Sequence, residues 1–210
     1  MLLVSGTTRT MANLAEQGAS RLGHLVTPRS RDKLETILAT GLPWAIDNGA
    51  YRGFNSTAFT RLLQKAEGKP RLLFVACPDV VGDSAATMQS FLDWSPALHR
   101  MNLPVAFVGQ DGVEDRDDVP WGEFSTLFVG GSTDWKLSDA ARDLCHEAKR
   151  RGKWIHMGRV NSLRRMKRAQ LFGCDSIDGS SASMFGDTHI PKYLRWLEWL
   201  DRQAIMWLEG

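Results

Sequence analysis

The chain has 210 residues, of which 43% are hydrophobic and 24% are charged, and its formal net charge is +2. This balance excludes a disordered chain, and the length favours a single domain over residues 1–210. No apolar run reaches the ~20 residues that cross a bilayer. Cys77, Cys145 and Cys174 are too widely spaced for a disulfide framework or a zinc site. We expect a cytoplasmic protein with no membrane contact, no metal and no cofactor.

Short apolar runs alternate with amphipathic stretches along the whole chain. The runs predict eight strands: Leu2–Ser5, His24–Val26, Pro43–Asp47, Leu72–Cys77, Val105–Val108, Leu127–Val129, Trp154–Met157 and Asp175–Asp178. The stretches predict five helices: Ser56–Glu67, Ala85–His99, Leu137–Arg151, Leu163–Phe172 and Ile190–Trp207. Asn55, Ser84 and Ser162 are the expected opening residues of three helices, and Pro191 fits the first turn of the last.

This alternation predicts an α/β fold with a parallel sheet, and we expect a compact (β/α)8 barrel of TIM type without a zinc subdomain. Eight units of about 26 residues are near the lower size limit of that fold. An open doubly wound sheet is the alternative. The acidic segment 112–123 contains Pro120 and is expected to be a loop. In either architecture, the active groups should follow the carboxyl ends of the strands.

Polar residues and glycines end or follow most of the predicted strands. They are Asp47, Asp79, Gln110, Gly130, Gly131, Gly158, Arg159 and Asp178. Single aspartates and glycines are common in turns, but several aspartates placed directly after apolar strands favour a carboxylate site. The chain has no nucleophile elbow, P-loop lysine motif or dinucleotide fingerprint. Two carboxylates fit retaining glycosyl transfer, in which one attacks the anomeric carbon and the other moves a proton.

Positive charge is concentrated in the last third of the chain. Residues 142–202 contain 13 Lys and Arg against 7 Asp and Glu, whereas the remainder contains 13 against 17. This asymmetry is typical of a protein that binds phosphates on one side, although a solvated basic helix face has the same composition.

The ordered set of strand-end motifs resembles the tRNA-guanine transglycosylases. Residues 47–51 (Asp-Asn-Gly-Ala-Tyr) resemble that family's Asp-Ser-Gly-Gly-Phe segment, and residues 108–112 resemble its Gln-Gly turn. Residues 128–131 resemble its Gly-Gly strand end, residues 157–162 its Met-Gly turn, and residues 174–178 the segment that ends in its nucleophile. The family's zinc-binding subdomain is absent, and this brings the chain closer to the compact phage-type (DpdA-like) relatives that act on DNA. The resemblance implies exchange of guanine in nucleic acid, with DNA favoured over tRNA, for a 7-deazaguanine such as preQ0.

The resemblance also implies roles for individual residues. Asp178 is the expected nucleophile and Asp47 the second carboxylate, which takes a proton from the incoming base. Asp79 would accept from the guanine N1–H and amino groups, since an ionised carboxylate only accepts, and Asp83 is the alternative in the same loop. The remaining base contacts would come from Gln110, from the amides of Gly130 and Gly131, from Gly158, and from Tyr51 and Met157 on the two faces of the ring.

Basic residues are expected to hold the nucleic-acid backbone. Arg159 would clamp a phosphate at a strand-to-helix turn, and Arg164, Arg165 and Arg168 would follow the strand. A duplex target would require the nucleotide to be extruded. Trp196 and Trp199 are a candidate surface for a homodimer. A phage-encoded protein of this kind would work in the host cytoplasm. The residues leave two other functions open, a non-catalytic nucleic-acid-binding subunit and a small-molecule glycosidase.

Overall fold

The fold is built on eight short parallel strands that pair in chain order. The structure, a computed structural model, describes residues 1–208. The strands are β1 (Leu2–Ser5), β2 (Leu22–Val26), β3 (Trp44–Ile46), β4 (Leu72–Ala76), β5 (Val105–Gly109), β6 (Thr126–Val129), β7 (Trp154–Met157) and β8 (Ser176–Asp178). Each strand pairs with the next, and β1 also pairs with β8. This closure confirms the predicted (β/α)8 barrel and excludes the open doubly wound sheet.

Helices occupy the connections between the strands. They are α1 (Thr8–Glu16), α2 (Leu34–Ala39), α3 (Ser56–Ala66), α4 (Ser84–Arg100), α5 (Thr133–Lys136), α6 (Asp139–Arg150), α7 (Leu163–Leu171), α8 (Ser180–Met184) and α9 (Gly186–Leu208). The five predicted helices correspond to α3, α4, α6, α7 and α9, whereas α1, α2, α5 and α8 were not predicted. The segment 112–123 is a loop, as expected, apart from one 3-10 turn at Val113–Asp115.

Capping side chains explain where several helices begin. Asn55 accepts a hydrogen bond from the Ala58 amide (2.9 Å) at α3, and Ser162 accepts from Arg165 (3.3 Å) at α7, as predicted. The cap of α4 is Asp83 rather than Ser84, because the Asp83 carboxylate accepts from the Ala86 amide (2.9 Å).

The predicted starts of α6 and α9 were wrong. Ser138 caps α6, so that helix begins at Asp139 rather than Leu137. The Phe185 carbonyl accepts from the amides of residues 188 and 189 (3.1 and 2.8 Å). Helix α9 therefore begins at Gly186, four residues before the predicted Ile190, and Pro191 lies inside the helix rather than in its first turn.

Two hydrophobic layers hold the barrel together. The smaller fills its interior and consists of Ala45, Phe74, Ala76, Ala106, Val108 and Phe128. The larger lies between the barrel and the helices and includes Leu197 and Leu200 from α9, with Leu194 packed against it. These three leucines confirm the predicted apolar stripe of α9, and the side chain of its fourth member, Ala204, lies outside those that the structure describes. Helix α9 ends at Leu208, one residue after the predicted Trp207. Since alternate residues of a strand point to opposite sides, neighbouring residues enter different layers.

The two tryptophans of the candidate dimer surface lie beside lysines. Trp196 packs against the core and has the Lys192 ammonium 4.8 Å from its ring centre, and Trp199 has that of Lys167 at 4.6 Å. These contacts within one chain do not test the dimer, which stays a prediction. Within residues 1–208, no helix combines the length and apolar character needed to cross a membrane.

Candidate active site

The carboxyl ends of the strands open into a cavity of about 620 Å³. All eight strands contribute to its walls, either through their last residues or through the segments that follow them. Asp47, Asp79 and Asp178, which are far apart in sequence, all line this cavity together with Gln110 and Gly158. The volume lies in the range of small-ligand pockets. The expectation that carboxylates from distant strands meet in one space is therefore confirmed.

The loop after β3 is organised by two consecutive side-chain turns. The Asp47 carboxylate accepts from the Gly49 amide (2.6 Å), and the Asn48 carbonyl oxygen accepts from the Ala50 amide (2.7 Å). Gly49 has φ of +79°, a left-handed conformation that glycine adopts without steric cost. Asp47 therefore both shapes the turn and presents a carboxylate to the cavity.

Asp47 holds its proton more tightly than an ordinary aspartate. Burial raises its pKa to about 6, and the Gly49 amide opposes this by stabilising the charged form. The nearby charges of Asp178 and Asp79 raise the pKa further, whereas Arg159 lowers it. A group that titrates this close to neutral pH can both give and accept a proton.

Asp79 is fixed by two amide donors. Its oxygens accept from Asn48 Nδ2 (2.7 Å) and Gln110 Nε2 (2.6 Å), and Gln110 Oε1 in turn accepts from the Gly82 amide (3.0 Å). Burial raises the pKa of Asp79, and both amides oppose the rise. The Asp79 carboxylate and Gln110 Nε2 each retain capacity for one further partner or more. Asp83 caps α4 and does not line the cavity, so the base-binding candidate in this loop is Asp79.

Asp178 is held on both oxygens at the end of β8. Its Oδ1 accepts from the Arg159 amide (3.1 Å), and its Oδ2 lies 3.1 Å from His156 Nε2. The Asp178 side chain keeps 14% of its surface exposed, whereas that of His156 is fully buried. The carboxylate is thus oriented by the protein and still reachable from the cavity.

Arg159 sits in a strained turn and braces the cavity wall. Its φ is +58°, unusual for a residue with a side chain. Its guanidinium donates to the carbonyls of Gly130 (2.9 Å) and Gly131 (2.6 Å), and it lies 4.7 Å from the Tyr51 ring centre. Part of the guanidinium expected to clamp a phosphate is therefore already engaged by the protein.

The predicted role of the Gly130 and Gly131 amides was wrong. Both amides donate to the Gly109 carbonyl (2.9 and 3.2 Å), so neither is free for a base. A Cβ on Gly130 would lie 2.7 Å from Val108 Cγ1, and one on Gly131 would collide with Trp135. Close packing explains why glycine occupies both positions. Of the two, only Gly130 lines the cavity.

Met157 does not form one face of a base pocket, which corrects a second prediction. It is 1% exposed and packs in the layer between barrel and helices. The reason is strand alternation: His156 points into the barrel, so the next side chain points outward. Tyr51 remains a candidate stacking residue because it is 68% exposed and lines the cavity.

The predicted basic residues separate into two groups. Arg159 and Arg165 line the cavity, and the Arg165 guanidinium donates to the Arg159 carbonyl (3.0 Å) and to Thr133 Oγ1 (3.3 Å). Arg164 and Arg168 are exposed on α7 and do not line it. Their contact with nucleic acid therefore stays a prediction.

Several residues that line or support the cavity were not among the predicted site residues. They include Arg29, Asn48, Arg52, Lys136 and His156. Lys136 is 2% exposed and donates to the Gly158 carbonyl (2.8 Å), which fixes the turn before Arg159. Burial lowers the pKa of Lys136 to about 7, and the neighbouring Arg159 acts in the same direction. The adjacency of Asn48 to Asp47 was a usable signal, but nothing in the pattern around Lys136 indicates burial.

Fold and site together define a (β/α)8 barrel with three carboxylates and a basic rim around one cavity. Among the described residues, no group of three or more histidines, cysteines and acidic residues is placed to hold a metal ion. A scan against models of known protein families found no match, and a search of curated proteins found no similar sequence.

Proposed function

We propose that this protein is a base-exchange transglycosylase that replaces guanine in nucleic acid, with DNA favoured, by a 7-deazaguanine such as preQ0. The observation that carries the proposal is the meeting of Asp47, Asp79 and Asp178 in one cavity with three different environments. Asp178 is oriented by two donors, Asp47 titrates near neutral pH, and Asp79 lies between two amides. These are the properties required of a nucleophile, a proton carrier and a base-recognition group.

In the first step, an Asp178 oxygen bonds to C1′ of the target nucleotide while the bond from C1′ to guanine N9 breaks. The electron pair of that bond leaves with guanine, and protonated Asp47 gives the departing base a proton. The product is a glycosyl ester on Asp178 and ionised Asp47. A pKa of about 6 leaves part of the Asp47 population protonated near neutral pH.

In the second step, the 7-deazaguanine binds where guanine left and loses its N9 proton to Asp47. N9 then bonds to C1′, and Asp178 departs as a carboxylate. Both carboxylates return to their starting state, so the exchange needs no net proton. In this scheme Asp79 accepts from N1–H and the exocyclic amino group of either base, which explains why both can be bound.

The composition of the cavity mouth supports a nucleic-acid substrate over a small glycoside. Four arginines line it: Arg29, Arg52, Arg159 and Arg165. Exposed Tyr51 lies among them and could stack against an unpaired base, and exposed Met184 adds apolar surface beside it. A positive rim around an acidic floor fits a phosphodiester that passes over a buried reacting sugar.

The test is release of labelled guanine from double-stranded DNA, single-stranded DNA, tRNA and free guanosine in the presence of preQ0. We expect release from nucleic acid and a protein–nucleic-acid adduct on a denaturing gel. Asp178→Asn should abolish both. Asp83→Asn is the matched control, because asparagine also caps a helix and residue 83 does not line the cavity.

Three results would contradict the proposal in different ways. An undiminished adduct with Asp178→Asn would refute the nucleophile assignment. Salt-sensitive binding of nucleic acid without guanine release would favour the non-catalytic subunit. Cleavage of free glycosides without nucleic-acid binding would favour the small-molecule glycosidase.

A further inference from the structure

The interior of the barrel contains a polar side chain that the proposed function has not yet used. His156 on β7 is fully buried, and its ring centre lies 4.9 Å from that of Phe74 and 4.6 Å from that of Phe128. Within this apolar setting, each ring nitrogen has a hydrogen-bond partner. Nδ1 lies 2.9 Å from Ser176 Oγ, and Nε2 lies 3.1 Å from Asp178 Oδ2.

The hydrogen-bond network assigns the imidazole tautomer. Trp154 Nε1, which can only donate, lies 3.0 Å from Ser176 Oγ, so that oxygen accepts from the indole. The Ser176 hydroxyl proton is then free to go to His156 Nδ1, which leaves the ring proton on Nε2. The opposite tautomer would place a nitrogen lone pair against an ionised carboxylate. The donors therefore run in one direction, from Trp154 through Ser176 and His156 to Asp178.

We infer that His156 is a positioning residue for the Asp178 nucleophile. The inference rests on the proposed function and adds to it a residue that the motif resemblance does not include. His156 holds Oδ2 from inside the barrel while the Arg159 amide holds Oδ1, so the carboxylate plane is set before substrate binds. When the glycosyl ester breaks down, the Nε2–H donor also stabilises the charge that returns to Asp178.

Because His156 is buried and does not line the cavity, it should affect turnover and not substrate binding. His156→Leu should lower kcat for base exchange about 10- to 100-fold, the scale of one lost charge-assisted hydrogen bond, with KM unchanged. His156→Gln retains an N–H donor and should recover part of the loss. The resolving step should slow as well, so the adduct on a denaturing gel should persist longer.

His24 provides a matched control within the same barrel. It is a second buried histidine on a strand, it is 1% exposed, and its Nε2 lies 2.9 Å from Thr40 Oγ1, away from the cavity. His24→Leu should unfold at a denaturant concentration similar to that of His156→Leu and keep the wild-type kcat. An equal loss of kcat in both variants would overturn the inference, because it would reduce the effect to packing.

A nitrogen-15 NMR measurement of the wild-type histidine side chains tests the network without using activity. We expect His156 to carry its proton on Nε2, and Ser176→Ala to weaken that preference. A proton on Nδ1 would overturn the inference even if His156→Leu failed to fold. If the wild type shows the expected tautomer but no base exchange, the proposed function is refuted, whereas the hydrogen bond from His156 to Asp178 is supported. Wild-type kcat in folded His156→Leu would refute the inference alone.

Discussion

Replacing Asp47 with asparagine should stabilise the folded protein while abolishing base exchange. The ordinary aspartate pKa of 3.8 applies to the unfolded chain, whereas burial raises it to about 6 in the fold. At 1.36 kcal/mol per pH unit, this difference costs the wild type about 3 kcal/mol at most once the carboxylate is ionised in both states. Asparagine removes the charge and keeps an oxygen to accept from the Gly49 amide.

The sign of the effect follows from where the proton is bound. Between about pH 4 and pH 6 the folded wild type binds a proton at Asp47 that the unfolded chain releases, so its stability falls as pH rises through this window. Below the window Asp47 is neutral in both states, and Asp47→Asn should gain little. Above it, the full gain should be present.

Urea unfolding of both proteins from about pH 4 to pH 8 measures this difference directly. Asp83→Asn, at an exposed helix cap, should give no comparable gain at any pH. The reasoning fails if Asp47→Asn is no more stable than the wild type at the upper pH, or if its gain is equal across the range. Retained base exchange in the same variant would exclude Asp47 as the proton carrier.

Two further predictions concern the rim and the buried lysine. Arg52→Gln should lower affinity for single-stranded DNA and reduce the slope of log K against log salt by about one, because Arg52 is exposed at the cavity mouth. Lys136→Met should remove a rise in wild-type stability between about pH 7 and pH 10. The rise is expected because the folded-state pKa of about 7 lies below the ordinary 10.5, so the unfolded chain binds more protons there.

Each of these has a clear control. Arg61→Gln changes another exposed arginine, on α3 and outside the cavity, and should leave the salt slope unchanged. Equal slopes in the wild type, Arg52→Gln and Arg61→Gln would show that Arg52 does not contact a phosphate. For Lys136→Met, the difference in unfolding free energy from the wild type isolates the lysine from other groups that titrate in this range. Parallel pH dependences in the two proteins would show that Lys136 is not the source of the rise.

The strands were predictable because their signal is strong and local. Apolar runs such as Leu72–Ala76 are bounded by turn residues, and the alternation with amphipathic stretches leaves few topologies. The missed helices lack such signals. Helix α1 has no side-chain cap at Thr7, and α2, α5 and α8 have six residues or fewer, too short for a helical period to repeat.

The incorrect predictions about the site share one physical cause, which is the direction in which an amide or a side chain points. Sequence position placed residues 130, 131 and 157 at strand ends, but it did not show which way each amide or side chain points. Met157 and His156 illustrate this, since alternate residues of a strand face opposite sides and either of the two could face the interior. In the structure His156 faces the interior, where it packs against Phe74 and Phe128. The inward direction of His156 also makes it a neighbour of Asp178, a contact that spacing along the sequence alone does not predict.

Arg159 shows how one residue can serve structure and chemistry together. Its amide holds Asp178, its guanidinium braces two carbonyls of the β6 end, and its charge lowers the pKa of both Asp47 and Asp79. Without that charge, three carboxylates around one cavity would repel one another more strongly and hold protons more tightly. A residue expected only to bind phosphate is therefore also the internal counter-charge of the site, and it is one of the few non-glycine residues with a positive φ.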